Sequence, residues 1–141
     1  MPIDIKSLEN GRGTEFHCYG TVTGTEIMEA NDRIYDVEAI LKMRYKIIDR
    51  SECTDYCVTT DEIKLIAGQD MKVAKVNRDI TILLVSPTPV QYGMTRMWQV
   101  YVAETGFTTK IFADRQSADA WLSSAFGEPD QDDPSAPTAC S

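Results

Sequence analysis

The run Ile80-Thr81-Ile82-Leu83-Leu84-Val85 constrains this chain more than any other stretch. It reads as a nearly continuous apolar strand, the kind expected in a parallel sheet covered on both faces. Parallel neighbours need crossover helices, and helical spacing flanks the run on both sides. Before it, Ile63, Ile66, Ala67, Met71 and Ala74 supply one apolar face, opened by Thr59 and Glu62 at capping-box spacing and closed near Asn77. After the loop Ser86-Pro87-Thr88-Pro89, a second face runs through Val90, Met94, Met97 and Tyr101 until Gly106 stops it.

The remaining segments fit the same alternation. Ile3, Ile5 and Leu8 form a first strand, Asn10-Gly11 a tight turn, and Phe16, Cys18, Gly20 and Val22 alternate with polar residues in a second strand. Thr23 and Glu26 cap the next stretch, which places Ile27, Ala30, Ile34, Val37 and Leu41 in one helix, or in a helix and a short second segment. Tyr45 to Ile48 is a strand ending at Asp49, and Phe107 to Phe112 is the last strand. Asp114 caps a final helix with Ala118, Trp121, Leu122 and Ala125 on one face. The expected fold is an α/β domain over residues 1–126: an N-terminal β-hairpin, then βα units, four helices, and a mostly parallel sheet with one antiparallel edge strand. Residues 127–141, with three prolines, four acids and no large apolar residue, form a disordered acidic tail.

Composition excludes several classes. Of 141 residues, 22 are acidic and 14 basic, a net charge of −8 with one histidine, and no Lys/Arg cluster interrupts it. Nucleic acid and anionic membrane surfaces are therefore not expected partners. Apolar runs reach only three or four residues against the roughly 20 of a membrane span. The first ten residues lack the basic start and apolar stretch of a secretion signal, which makes the cytoplasm the expected location. Cys18, Cys53, Cys57 and Cys140 are then expected as thiols.

Three sequence features carry a resemblance. Asp49-Arg50-Ser51 comes after a strand, Gly93-Met94-Thr95-Arg96-Met97 lies in the third helix, and Ala118-Asp119-Ala120-Trp121-Leu122 lies in the last. With the hairpin and βα order, they make residues 3–126 resemble the STAS domain of anti-sigma-factor antagonists, the SpoIIAA-like fold, and more closely small stand-alone bacterial proteins of that fold. The resemblance implies regulation by binding another protein, switched by phosphate on a Ser or Thr at the second helix start. In place of the family's Asp-Ser-Ser-Gly-like turn, this chain reads Tyr56-Cys57-Val58-Thr59-Thr60-Asp61-Glu62. Transporter-linked and lipid-transfer relatives imply binding of proteins or apolar ligands instead.

Thr59, Thr60 and Ser51 are the phosphoacceptor candidates, although capping alone explains Thr59 with Glu62, and Asp61 and Glu62 would repel a phosphate. Asp49, Arg50, Ser86 and Thr88 reach the carboxyl edge of the parallel strands, where ligands gather in open α/β sheets. Against that, Asp49 and Arg50 pairing with each other or capping helices would explain them. Tyr92, Met94, Arg96, Met97 and Trp98 are residue types enriched at interfaces and mark a docking or dimer surface if Trp98 or Tyr92 is exposed. His17 and Cys18 point to opposite faces of a strand, so zinc shared with Cys53 and Cys57 is not expected. No metal or cofactor is expected, and the cysteines read as packing residues. The resulting reading is a small non-catalytic regulatory or adaptor protein that binds another protein. The alternative is a small-ligand or lipid binder at the strand-edge rim. An enzyme is the third reading, with no carboxylate pair or nucleophile–base arrangement to carry it.

Overall fold

The apolar run forms the strand β4 (Thr81–Val85), buried at all five positions and paired in parallel on both sides. Its neighbours are β3 (Tyr45–Cys57) and β5 (Thr108–Phe112). Beyond β3 lies β2 (Gly13–Thr23), parallel to it, and at the edge β1 (Ile3–Leu8), antiparallel to β2. Strand order in space thus equals strand order in the chain, as the sequence predicts. The structure is a computed structural model and describes residues 2–127. The acidic tail from Glu128 onward, with Cys140, lies outside the described residues.

Sequential parallel strands joined by right-handed crossovers place every connecting helix on one face. That face carries α1 (Gly24–Ile34), α3 (Thr60–Val76) and α4 (Pro89–Val102), packed on Phe16, Val22, Ile82 and Leu84. The last helix, α5 (Arg115–Phe126), comes after the final strand and escapes that constraint. It covers the opposite face, where Ala118 and Leu122 meet Tyr45, Ile47, Leu83 and Val85. Alternation along β4 therefore feeds two cores, Ile82 and Leu84 to one and Leu83 and Val85 to the other. Each such fully buried aliphatic side chain contributes about 1.5–3 kcal/mol.

Helix starts coincide with the caps. Thr23, Thr59 and Thr88 each accept from the backbone amide three residues on, and Glu26, Glu62 and Gln91 reciprocate. Asp114 opens α5 by accepting from Ser117 N at 2.7 Å.

The structure corrects the sequence reading at two elements. There are five α-helices among the described residues, not four, because the chain breaks at Tyr35 and Asp36 restarts it by accepting from Ala39 N at 2.9 Å, which opens α2 (Val37–Lys42). And β3 does not stop at Asp49. Beyond the last β3–β4 pair, Asp49 with Val85, it continues to Cys57 paired with β2 alone, so Cys53 and Cys57 lie within the strand. The hairpin turn is wider than two residues: Glu9, Asn10 and Gly11 all take positive φ, a conformation open to Gly and tolerated by Asn.

Candidate functional site

Asp49 and Arg50 reach the carboxyl edge of the sheet as adjacent residues of one strand, so their side chains leave on opposite faces. Each is buried, at 3% exposure, and each organises a separate polar cluster.

Arg50 points under α4. Its Nη2 donates to Ser86 Oγ at 3.0 Å and to Thr95 Oγ1 at 2.8 Å. Thr95 spends its own proton on the Gln91 carbonyl at 2.8 Å, so Ser86, 3.0 Å away, must donate to Thr95. Both hydroxyl protons are thus turned away and both oxygens face the guanidinium. The Tyr56 ring centroid lies 5.0 Å from the guanidinium carbon. Arg50 Nε has no hydrogen-bond partner, and no carboxylate within 4 Å is paired with this guanidinium among the described residues. A buried cation held only by neutral groups is costly unless something compensates it.

Beside it lies a second buried cation. Lys46 Nζ donates to Asn31 Oδ1 at 2.7 Å and to the Tyr35 hydroxyl at 2.8 Å. Tyr35 passes its proton to Asp70 Oδ1 at 2.8 Å, and Trp98 Nε1 donates to Asp70 Oδ2 at 2.8 Å. Burial pushes Lys46 below its ordinary value, against the pull of Asp70. Burial and the same carboxylate hold the Tyr35 phenol well above its own. Lys46, Arg50 and Asp70 line one cavity of about 40 Å³, walled by Phe16, Ile27, Ile48, Leu84, Met94 and Trp98. A water needs roughly 10–15 Å³ on this measure, so the space suits a few heavy atoms. Its formal charge is two cations against one carboxylate.

On the α5 face, Asp49 Oδ1 accepts from Ser51 N at 2.9 Å and Ser51 Oγ at 2.6 Å. Arg115 donates to Asp49 Oδ2 and Glu15 Oε1, both at 3.0 Å, and to Asp119 at 2.8 Å. Burial raises the Asp49 carboxyl, but the bonds from Ser51 and Arg115 outweigh it and hold it below the ordinary value. His17 Nε2 lies 2.7 Å from Glu52 Oε1, and Nδ1 lies 3.5 Å from Asp49 Oδ2. The Glu52 bond raises the His17 pKa in spite of partial burial.

The structure thus brings Arg50 and Ser86 together and separates them from Asp49, which removes the pairing of Asp49 with Arg50. Thr88 caps α4 and stays out of the cavity. Ser51 supports Asp49, Thr59 caps α3, and Thr60 is exposed at its first position. The third-helix set divides: Trp98 is buried at 4%, Met94 lines the cavity, Met97 packs on the core, Arg96 bonds Gln99 on the surface, and Tyr92 is 51% exposed. Cys18 is buried, and burial pushes its thiol up to about 12. Lys46, Asp70, Asn31, Tyr35 and Thr95 escape the sequence reading, although Asp70, at helical spacing from apolar Ile63, Ile66 and Ala67, is a legible buried acid.

No family model matches the chain, and no curated protein is similar to it. Among solved structures, the chain is similar to an uncharacterized protein of the DUF3478 family from Shewanella loihica PV-4, described as having a SpoIIAA-like fold. Identity is 19% over 85% of this chain and 91% of that one, with a TM-score of 0.49. No helix among the described residues is long and apolar enough to cross a membrane.

Proposed function

We propose that this chain is a non-catalytic binding protein whose ligand is a small organic monoanion with an apolar body, seated in the Arg50 cavity. The observation that carries this reading is the unpartnered Nε of a guanidinium that is 3% exposed and is met by two hydroxyls and the Tyr56 ring. One anionic oxygen there pairs Nε, and a single negative charge balances Lys46 and Arg50 against Asp70. The apolar walls select against hydrated inorganic ions. A short-chain carboxylate fits the space, and the sequence-based rim of Arg50 and Ser86 becomes the headgroup end of the site.

Trp98 borders the cavity and supplies the readout. Titrating the protein with acetate, propionate and butyrate, the Trp98 fluorescence is expected to change saturably, with affinity rising with each methylene. Arg50→Met, which keeps the stem and removes the charge, is expected to lose the response. Equal weak responses from chloride and butyrate, or an unchanged response in Arg50→Met, would sink the reading.

A second reading, docking to another protein, draws on the exposed apolar side chains of α4, where Val90, Tyr92 and Val100 are 65%, 51% and 70% exposed. Tyr92→Ser with Val100→Ser tests it: loss of a stoichiometric companion with butyrate binding intact favours docking through this helix.

A further inference from the structure

We infer that Glu15, His17 and Asp49 form a binding site for one divalent transition-metal ion on the α5 face of the sheet. Three ligand atoms, one from each side chain, lie within 4.8 Å of one another. The residues are set by register: Glu15 and His17 are two apart on β2, and His17 pairs with Asp49 on β3, so all three share a face.

Arg115 bridges the two carboxylates at 3.0 Å each, and the contacts around His17 and Asp49 orient the rest of the set. The Glu52 carboxylate only accepts, so the 2.7 Å contact needs a proton on His17 Nε2 and turns Nδ1 toward the two carboxylates. There Nδ1 meets Asp49 Oδ2 at 3.5 Å, longer than a hydrogen bond. Asp49 is held at its other oxygen by Ser51, so Oδ2, which takes the Arg115 bond at 3.0 Å, is the oxygen that faces the cluster. A histidine oriented by a carboxylate at its far nitrogen, beside a carboxylate fixed at its far oxygen, is the outer-shell pattern that orients metal ligands. One imidazole and two carboxylates suit Mn²⁺, Fe²⁺, Co²⁺ or Zn²⁺.

Arg115 now supplies the positive charge between Glu15 and Asp49. Its side chain is 31% exposed, sits in the first turn of α5, and has a third partner in Asp119 at 2.8 Å. Turning toward Asp119 alone vacates both carboxylates. A cleft of about 590 Å³ bounded by Glu9, Glu15, Arg115 and Asp119 opens onto the Glu15 side of the cluster. The metal and the arginine therefore compete for one seat.

The test is Co²⁺ titration of the full chain, followed by calorimetry and by visible d–d absorption. One equivalent is expected to bind. His17→Ala is expected to lose the absorption and at least about tenfold in affinity, and Glu52→Gln to lose about 10–100-fold. Arg115→Ala is expected to bind Co²⁺ more tightly than the natural chain. It is also expected to melt at a lower temperature without the ion and to recover with it, which keeps the test decisive if removing Arg115 weakens the fold. No d–d absorption in either the natural chain or Arg115→Ala overturns the inference. Binding unchanged in His17→Ala overturns it too, assigning the ion to the thiols or surface acids.

Discussion

Asp49 and Arg50 are neighbours on β3, yet Asp49 Oδ2 lies 3.0 Å from Arg115 on one face of the sheet while Arg50 Nη2 lies 2.8 Å from Thr95 on the other. Two consecutive positions within one strand thereby hold an acid in a cationic setting and a cation in a neutral one. The two have opposite energetic consequences. Asp49 is stabilised as an anion, whereas Arg50 is retained at a cost that a ligand can offset.

Replacing Arg50 therefore has a counterintuitive outcome. Arg50→Met is expected to leave the stability of the protein unchanged or to raise it by up to about 4 kcal/mol, the range reached when buried ion pairs give way to apolar side chains of similar volume. Urea denaturation at neutral pH measures it. A loss of more than about 1 kcal/mol would mean that Ser86 and Thr95 alone satisfy the guanidinium.

Alkaline pH reports on Cys18. Its thiol ionises at 9.0 when unfolded and is pushed to about 12 when folded. Between these values the native state holds the extra proton, so this contribution to stability is complete below 9.0 and is lost as pH rises toward 12. Lys46, lowered on folding, acts with the opposite sign below 10.5. The difference between the natural chain and Cys18→Ala cancels Lys46. Between about pH 8 and about pH 10 the natural chain is expected to lose more stability than Cys18→Ala. Parallel pH profiles would contradict a buried neutral thiol.

The α3 cap is a matter of stability. Thr59→Ala removes the acceptor for Glu62 N, 3.1 Å from Thr59 Oγ1, and is expected to cost about 1 kcal/mol. Thr59→Asp, a good cap, is expected to keep most of it. If Thr59→Asp destabilises the chain as Thr59→Ala does, capping is not what Thr59 supplies.

Trp98→Phe tests the buried network from the other side. It keeps most of the apolar volume but strips Asp70 Oδ2 of its donor at 2.8 Å, with an expected loss of about 1–3 kcal/mol. Tyr35→Phe, which strips Asp70 Oδ1, is expected to cost a similar amount. Neutral effects in both would show that water replaces these donors freely.

The order of elements was legible in the sequence because the apolar patterns and Thr/Asp caps are local signals. The length of β3 was not. Residues 50–57 carry Glu52, Thr54 and Asp55 on a stretch with no sheet on one side, and only the continuing β2 partner makes it a strand. Arg50 and Ser86 were legible together at the strand edge because βα topology sends strand ends there. Lys46 was not, since a lysine inside Tyr45-Lys46-Ile47 ordinarily faces water, and Asp70 showed only through its helical spacing from Ile63, Ile66 and Ala67. Their burial depends on meeting each other through Tyr35, and no local pattern encodes that meeting.

Because each strand after β1 lies beside the strand just before it, every strand pairing joins neighbours in time as well as in space. A chain emerging from the ribosome never has to leave a gap for a later strand. Its growing edge passes from β2 to β3 to β4 and closes on β5, where Lys110 charges the final rim. Each parallel pairing still waits for its own helical crossover, as in Gly13 with Tyr45 and Tyr45 with Thr81, so the closures are non-local but come one at a time. Assembly of this domain can keep step with its own translation.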